Sequence, residues 1–170
     1  MNSSPSPFPV DLGAFTLQLV DPATPQAREL VRDYFTEVLT RVNGTTPSSE
    51  VIESTLRDDP DDAMVAPTGT FIVALSAHSP VGCAGLRVLD DRVGELKRVY
   101  VRPSARGRGL GTALITALET YARSCNLTTL RLDTRHELDE ALRIYERHGY
   151  RRIERYKQPG LADLWFEKSL

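Results

Sequence analysis

The chain is poor in the features that build disulfide-stapled, metal-bound or membrane-embedded proteins. It holds two cysteines in 170 residues, Cys83 and Cys125, with no CxxC pair and no paired histidine spacing. Neither a disulfide framework nor a zinc site is indicated, and both thiols are expected to be reduced and semi-buried in the core. No apolar run approaches the roughly 20 residues of a membrane span, and the opening MNSSPSPFPV has neither a positive leader nor an apolar core. The expectation is a soluble cytoplasmic protein without a membrane partner or a metal. Neither sign of charge is in excess, since 21 Lys and Arg against 23 Asp and Glu leave a net charge of -2. A general nucleic-acid binder would show a basic excess, so nucleic acid is not expected as a partner and any cation cluster must be local.

What the sequence does have is enough ordinary apolar content for one core, which makes a single domain and a single site the simplest expectation. Residues 1–12, opening on Ser, Pro and Asn, are expected to form a flexible tail, with the domain over 13–170. FTLQLVD alternates Phe15, Leu17 and Leu19 with polar partners, the period of a half-buried strand. ATPQARELVRDYFTEVLTRVNG places Ala27, Leu30, Val31, Tyr34, Phe35, Val38 and Val42 at helical spacing, with Thr24 as N-cap, Pro25 in the first turn and Gly44 past the end. A shorter helix ends at Pro60, inside an acidic loop of Asp58, Asp59, Asp61 and Asp62 that reads as solvated surface. TFIVALS, PVGCAGLRVLD and GELKRVYVRP then follow as three strands at hairpin spacing. LGTALITALETYARSCN is an amphipathic helix, with Leu110, Ala113, Leu114, Ala117, Leu118 and Tyr121 as its stripe. After the strand LTTLRLDT comes a helix with Leu138, Ala141, Leu142, Tyr145 and His148 on its inner side, and YRRIERY and LADLWFEKSL close the chain as strands. This order indicates one mixed α/β domain.

RPSARGRGLGTALI, residues 102–115, sets Gly107, Gly109 and Gly111 among three arginines between a strand and a helix. Backbone N–H groups and the positive end of a helix dipole converge in such a turn, and glycine lets a bulky anion approach. A P-loop would need Lys then Ser or Thr after the last glycine, and a dinucleotide fingerprint would need GxGxxG on a first strand. Neither is present, which leaves an anion cradle with arginine at its lip.

The run from VYVRP through R-x-x-G-x-G resembles the glycine turn of the GCN5-related N-acetyltransferases. ALRIYERHGYRRIERY is similar to the same superfamily's A-x-x-hydrophobic-Y-x-x-x-G-[FY] segment. The resemblance covers residues 15 to 168. It implies a single-domain α/β fold with a mixed, mostly antiparallel sheet of about seven strands flanked by about four helices. It implies acetyl-CoA, or another acyl-CoA, as donor in a cleft between the fourth and fifth of these strands, GELKRVYVRP and LTTLRLDT, and a small amine as acceptor. The pyrophosphate would meet the N–H groups of Arg106, Gly107, Arg108, Gly109, Leu110, Gly111 and Thr112, and pantetheine would run along Val99, Tyr100 and Val101. Arg106, Arg108 and Arg102 would offset phosphate charge. NGTTPSSE and ERYKQPGLADLW would line the acceptor pocket.

An alkyl ammonium titrates at about 10.4, so amine acetylation benefits from a base. The resemblance places that base at Glu95, whose other reading is a solvated strand-start carboxylate paired with Lys97, and many superfamily members use water instead. It makes Tyr145 the acid for the leaving thiolate, against a reading as core aromatic, and the Val99 N–H the donor to the thioester carbonyl. Leu138 stands where many members carry a pantetheine-binding asparagine. His136 reads as exposed loop and His148 as a helix-end group. Neither cysteine has a nucleophile's context, so direct transfer is expected. The competing class is a non-catalytic acyl-CoA-binding or sensor module, and the sequence leaves room for a homodimer.

Overall fold

The computed structural model describes residues 8–158 and 160–170. Eight strands and four α-helices alternate along them. The strands are β1 (Val10–Asp11), β2 (Thr16–Leu19), β3 (Gly69–Ser76), β4 (Ser79–Val88), β5 (Val93–Val101), β6 (Thr129–Thr134), β7 (Arg151–Ile153) and β8 (Leu164–Ser169). The helices are α1 (Pro25–Asn43), α2 (Ser49–Asp58), α3 (Leu110–Ser124) and α4 (Asp139–Arg147). They build one sheet in the order β1-β2-β3-β4-β5-β6-β8-β7, antiparallel throughout except for the parallel pair β5–β6. The mixed α/β sheet is the one expected, with one strand more. That strand, β1, falls inside the expected tail and pairs Val10 with Leu17; residues 1–7 lie outside the described residues.

The two central antiparallel strands are buried on both faces, which is why β3 reads as a continuous apolar run. Ile72 and Ala74 face a core with Leu86, Leu96, Leu114, Leu118 and Leu132, while Phe71 and Val73 face a second core with Leu30, Val31 and Phe35. Helix α3 packs on β4 and β5 on the first side, and α1 packs on the same strands on the second. Helix α1 starts after Thr24, carries Pro25 at its first position and ends at Gly44 with φ 72°, as its sequence signals require.

Several side chains differ from their expected places. Leu19 is exposed because β2 leaves the cores after Leu17. Leu39 and Ile115 are buried although neither was on an expected stripe, which places the buried stripe of α3 over Leu114, Ile115, Leu118 and Ala122. Cys83 is buried between β4 and α1, but Cys125 is exposed at the end of α3. Among the described residues no helix is long and apolar enough to cross a membrane.

Candidate active site

The site begins where the sheet splits. Strands β5 and β6 pair only from Val93–Leu96 with Thr129–Leu132, and beyond Leu96 strand β5 follows β4 alone. A bulge accompanies the split: Cys83 pairs with Tyr100 and Gly85 with Lys97, so Ala84 faces both Arg98 and Val99. Extra residues of this kind bend a strand and release its backbone from the ladder. Arg98 takes φ 56°, a conformation costing a non-glycine residue about 1–2 kcal/mol. Its buried guanidinium compensates: Nε donates to Asp61 Oδ1 at 2.9 Å, Nη1 to Asp59 Oδ2 at 3.1 Å and Nη2 to the Asp59 carbonyl at 2.6 Å, over the Phe35 ring at 4.6 Å. Asp59 and Asp61 thus anchor the loop expected to be solvated surface, while Asp58 and Asp62 are exposed. Burial alone would raise Asp59, but the charges of Arg98 and Lys97 bring its pKa down to about 2.

On one side of the split lies a cavity of about 540 Å³. Val99, Tyr100 and Val101 form one wall, and Leu138, Ala141, Ile144 and Tyr145 of α4 the other. The glycine turn closes its end. Pro103–Ala105 makes one 3-10 turn, Gly107 and Gly109 adopt φ 74° and 79°, and α3 starts at Leu110 with its unpaired N–H groups at the cavity. No heavy atom lies within 4 Å of where a Cβ would stand on either glycine. At Gly111 a Cβ would stand 3.0 Å from Ile144 Cδ1, so this glycine permits α3 and α4 to approach. Open space facing a helix N-terminus fits a phosphate-bearing ligand with a slender chain.

Of the residues expected here, Val99, Tyr100, Val101, Arg106, Gly107, Gly109, Leu110, Gly111 and Thr112 all line this cavity, whereas Arg108 does not. The Arg108 guanidinium lies over the Phe15 ring at 4.6 Å. Arg102 is also turned away, donating to Asp33 at 2.8 Å, Glu29 at 2.6 Å and the Pro80 carbonyl at 2.8 Å. Arg106 lines the cavity but holds the Val101 carbonyl at 2.8 Å and Glu37 at 2.5 Å. The arginines of the turn therefore brace it. Sequence reading missed Glu37 and Arg41 of α1 and Glu140 and Arg147 of α4, all of which line the cavity. Arg41 bridges the two helices, donating to Glu37 and Glu140 at 2.8 Å each. Arg147 is exposed and has no ion pair among the described residues.

Tyr145 stands where this cavity meets a second one of about 470 Å³. Tyr34, Val38, Val99, Leu138 and Ala141 border both with it. Its ring is 6% exposed and packs edge-on to Tyr150 at 6.0 Å. Burial pushes its pKa up, and the fields of Tyr34 and Asp133 add to that. Tyr34 is likewise raised to about 12 by burial, against the opposing charge of Arg98. The second cavity is walled by Asp58 and Asp59, by Lys97 and Arg98, by Asp133, and by Lys157, Leu161 and Ala162 of the β7–β8 connection. That connection is the expected acceptor segment, apart from Pro159, which lies outside the described residues. The other expected segment, residues 43–50, contributes to neither cavity, and the end of α2 takes its place.

Glu95 is 0% exposed and is not among the residues lining either cavity. The Tyr156 hydroxyl and the Lys157 ammonium donate to its Oε1 and Arg87 Nη2 to its Oε2, each at 2.6 Å. Burial would raise its pKa, but the hydrogen bonds from Lys157 and Tyr156 outweigh it and hold the carboxyl below its usual range. Lys97, expected beside Glu95, pairs with Asp59 at 2.6 Å. His136 is exposed against Asp163, and His148 caps α4 at 3.5 Å from Glu119. His136, Glu137 and Asp163 cluster closely enough for a metal, but Arg135 holds Glu137 at 2.6 Å.

A split sheet with a bulged strand, a glycine turn opening a helix and a tyrosine at the meeting of two cavities together form the candidate site. The profile described as the Acetyltransferase (GNAT) family matches residues 25–150, and the chain belongs to that family. It is 31% identical to the IAA acetyltransferase of Azospirillum brasilense over 51% of this chain and 58% of that protein. To the amino-acid acetyltransferase of Mycobacterium tuberculosis it is 28% identical, over 76% of this chain and 64% of the other. The chain thus spans little more than half the length of these curated relatives. PaiA N-acetyltransferase of Thermoplasma acidophilum, solved with coenzyme A, shares the fold at TM-score 0.72 and 16% identity, over 92% of this chain and 99% of that one.

Proposed function

We propose that the chain is an acetyl-CoA-dependent N-acetyltransferase that moves the acetyl group directly from the thioester to the primary amine of a small molecule or amino acid. The observation that carries this reading is Tyr145, whose ring borders both cavities at their junction and whose hydroxyl has no hydrogen bond among the described residues. The donor supplies an activated acyl group and a thiolate leaving group. Backbone N–H groups at Gly107 to Thr112 would hold its pyrophosphate, and Val99 to Val101, lacking a strand partner on the β6 side, would pair with its pantetheine arm. The bulge at Arg98 frees the Val99 N–H to donate to the carbonyl oxygen. The Tyr145 hydroxyl, kept protonated by burial, donates to the departing sulfur. With Glu95 enclosed by three donors, solvent in the second cavity removes the amine proton. The family match, the coenzyme A in the PaiA structure and the likeness to the mycobacterial amino-acid acetyltransferase support this reading.

The test is thiol release from acetyl-CoA with an acceptor panel of L-glutamate, L-methionine, L-lysine, spermidine, tryptamine and a short peptide, with calorimetric titration of acetyl-CoA alongside. Turnover above hydrolysis with at least one amine is expected. Tight acetyl-CoA binding with no turnover across the panel would assign the chain to the sensor class instead.

A further inference from the structure

Around the split the sheet buries more charge than packing needs. Glu95 on β5 lies level with Arg87 on β4 and with Arg131 on β6. Burying a carboxylate costs several kcal/mol unless its oxygens are compensated. Arg87 belongs to the sheet, but the other two donors, Tyr156 and Lys157, lie on the connection between β7 and β8. Lys157 also donates to Asp133 at 2.9 Å, and the Tyr156 ring lies 5.1 Å from the Arg131 guanidinium. Farther along, the connection is held by the Asp163 N–H on the Thr134 carbonyl at 3.1 Å and by Arg135 on the Leu161 carbonyl at 3.0 Å. Glu95 therefore takes two of the contacts that hold its first half, and this connection walls the second cavity. Arg87 extends the network to the opposite wall, with Nη1 3.9 Å from Asp59.

We propose that Glu95 is a positioning residue. Its buried carboxylate pins the β7–β8 connection through Tyr156 and Lys157, and thereby sets the affinity for the acceptor instead of taking the amine's proton. A base must lie within hydrogen-bond reach of the proton it removes, directly or through one water. Glu95 lines neither cavity, and Tyr156, Lys157 and Arg87 already occupy its oxygens. The other charged side chains beside it on β5 and β6 are themselves paired, Lys97 with Asp59, Arg131 with Glu167 and Asp133 with Lys157. The kinetic consequence rests on the N-acetyltransferase reading, whereas the pin does not.

Limited trypsin digestion of the full chain, with the cleavage sites read by mass spectrometry, tests the pin without any acceptor, using wild type, Glu95→Gln and Tyr156→Phe. Cleavage after Arg155 should quicken about tenfold in both variants, as for any segment that loses part of its anchorage. Cleavage after Arg106 and Arg108 in the glycine turn should stay at the wild-type rate. Tyr156→Phe leaves the carboxylate in place and borders neither cavity. With whichever panel amine turns over, it should raise the acceptor KM by about five- to tenfold, leaving saturated kcat and the shape of the pH profile as in wild type. Unchanged cleavage after Arg155 in Tyr156→Phe would overturn the proposal. So would Glu95→Gln that loses saturated kcat and the rising limb of the pH profile while Tyr156→Phe behaves as wild type, which makes Glu95 the base. If Glu95→Gln does not fold, Tyr156→Phe alone decides. If no amine turns over, the transferase reading fails and proteolysis still decides the pin.

Discussion

Tyr145 carries the chemical claim at the scale of the residue. Its pKa is raised above the ordinary tyrosine value, so its hydroxyl stays protonated through neutral and mildly alkaline pH. Tyr145→Phe should lower kcat by about 10–100-fold, leave acetyl-CoA affinity nearly unchanged, and give a pH profile parallel to wild type from pH 6 to 9. Unchanged turnover, with chemistry shown to be rate-limiting, would return Tyr145 to the core. The arginines divide just as sharply. Arg147 lines the first cavity and has no ion pair among the described residues, while Arg108 stacks on Phe15 outside it. Arg147→Ala should weaken acetyl-CoA binding by about three- to tenfold, the value of one charge-assisted contact at an exposed site, and Arg108→Ala should change it less than about twofold. Calorimetric titration at fixed ionic strength separates the two, and equal losses would reject the division.

The glycine turn shows how an element couples binding to fold. Gly109 sits at the N-cap of α3 with φ 79° and open space where a Cβ would go. A valine there meets two penalties: strain of about 1–2 kcal/mol in the left-handed region and a side chain across the phosphate's approach. Asparagine tolerates that conformation better, so comparing the variants separates the effects. Gly109→Val should lower both the melting temperature and acetyl-CoA affinity, whereas Gly109→Asn should keep most of the stability and still lose affinity. Wild-type affinity in Gly109→Asn would remove the turn from the phosphate site. Arg106 belongs to the same element, because it ties the turn to Glu37 and to the Val101 carbonyl. Its loss would leave a carboxylate facing the ligand with one cation fewer, so weaker binding is expected of Arg106→Ala as well.

Across the whole molecule, ion pairs join helices and loops to the split sheet. Asp59 holds Lys97, Arg98 and Arg87, and its pKa is depressed from its ordinary value to about 2. A carboxyl depressed on folding contributes stability above its unfolded pKa and loses it as pH falls through its folded one. The depressed Glu95 acts in the same direction. Melting temperature should therefore fall steeply from about pH 4 to about pH 2. Asp59→Asn should be less stable at pH 7 by about 1–3 kcal/mol, since Lys97 and Arg98 stay buried with a weaker partner, and the gap should close towards pH 2. A gap that persists at pH 2 would show that Asp59 acts through packing.

The sequence by itself determined the element order, the caps of α1, the glycine turn and the helix bearing Tyr145, because these depend on neighbours within one or two turns of chain. Periodicity also decided which faces are apolar, although not the role of Leu39 or Ile115, since a buried stripe is centred by what packs on it. Only the tertiary structure placed Arg98 in a bulge, for no local signal marks a non-glycine residue whose strain is compensated by Asp59 and Asp61, 37–39 residues earlier. It alone turned Arg102 and Arg108 outward, since a turn's sequence says where charge stands and not which partner waits across space. It also enclosed Glu95: a strand-start carboxylate looks solvated until the β7–β8 connection, 61–62 residues later, lays Tyr156 and Lys157 over it. Contacts between distant segments decide desolvation, and desolvation decides which ionisable groups reach a substrate.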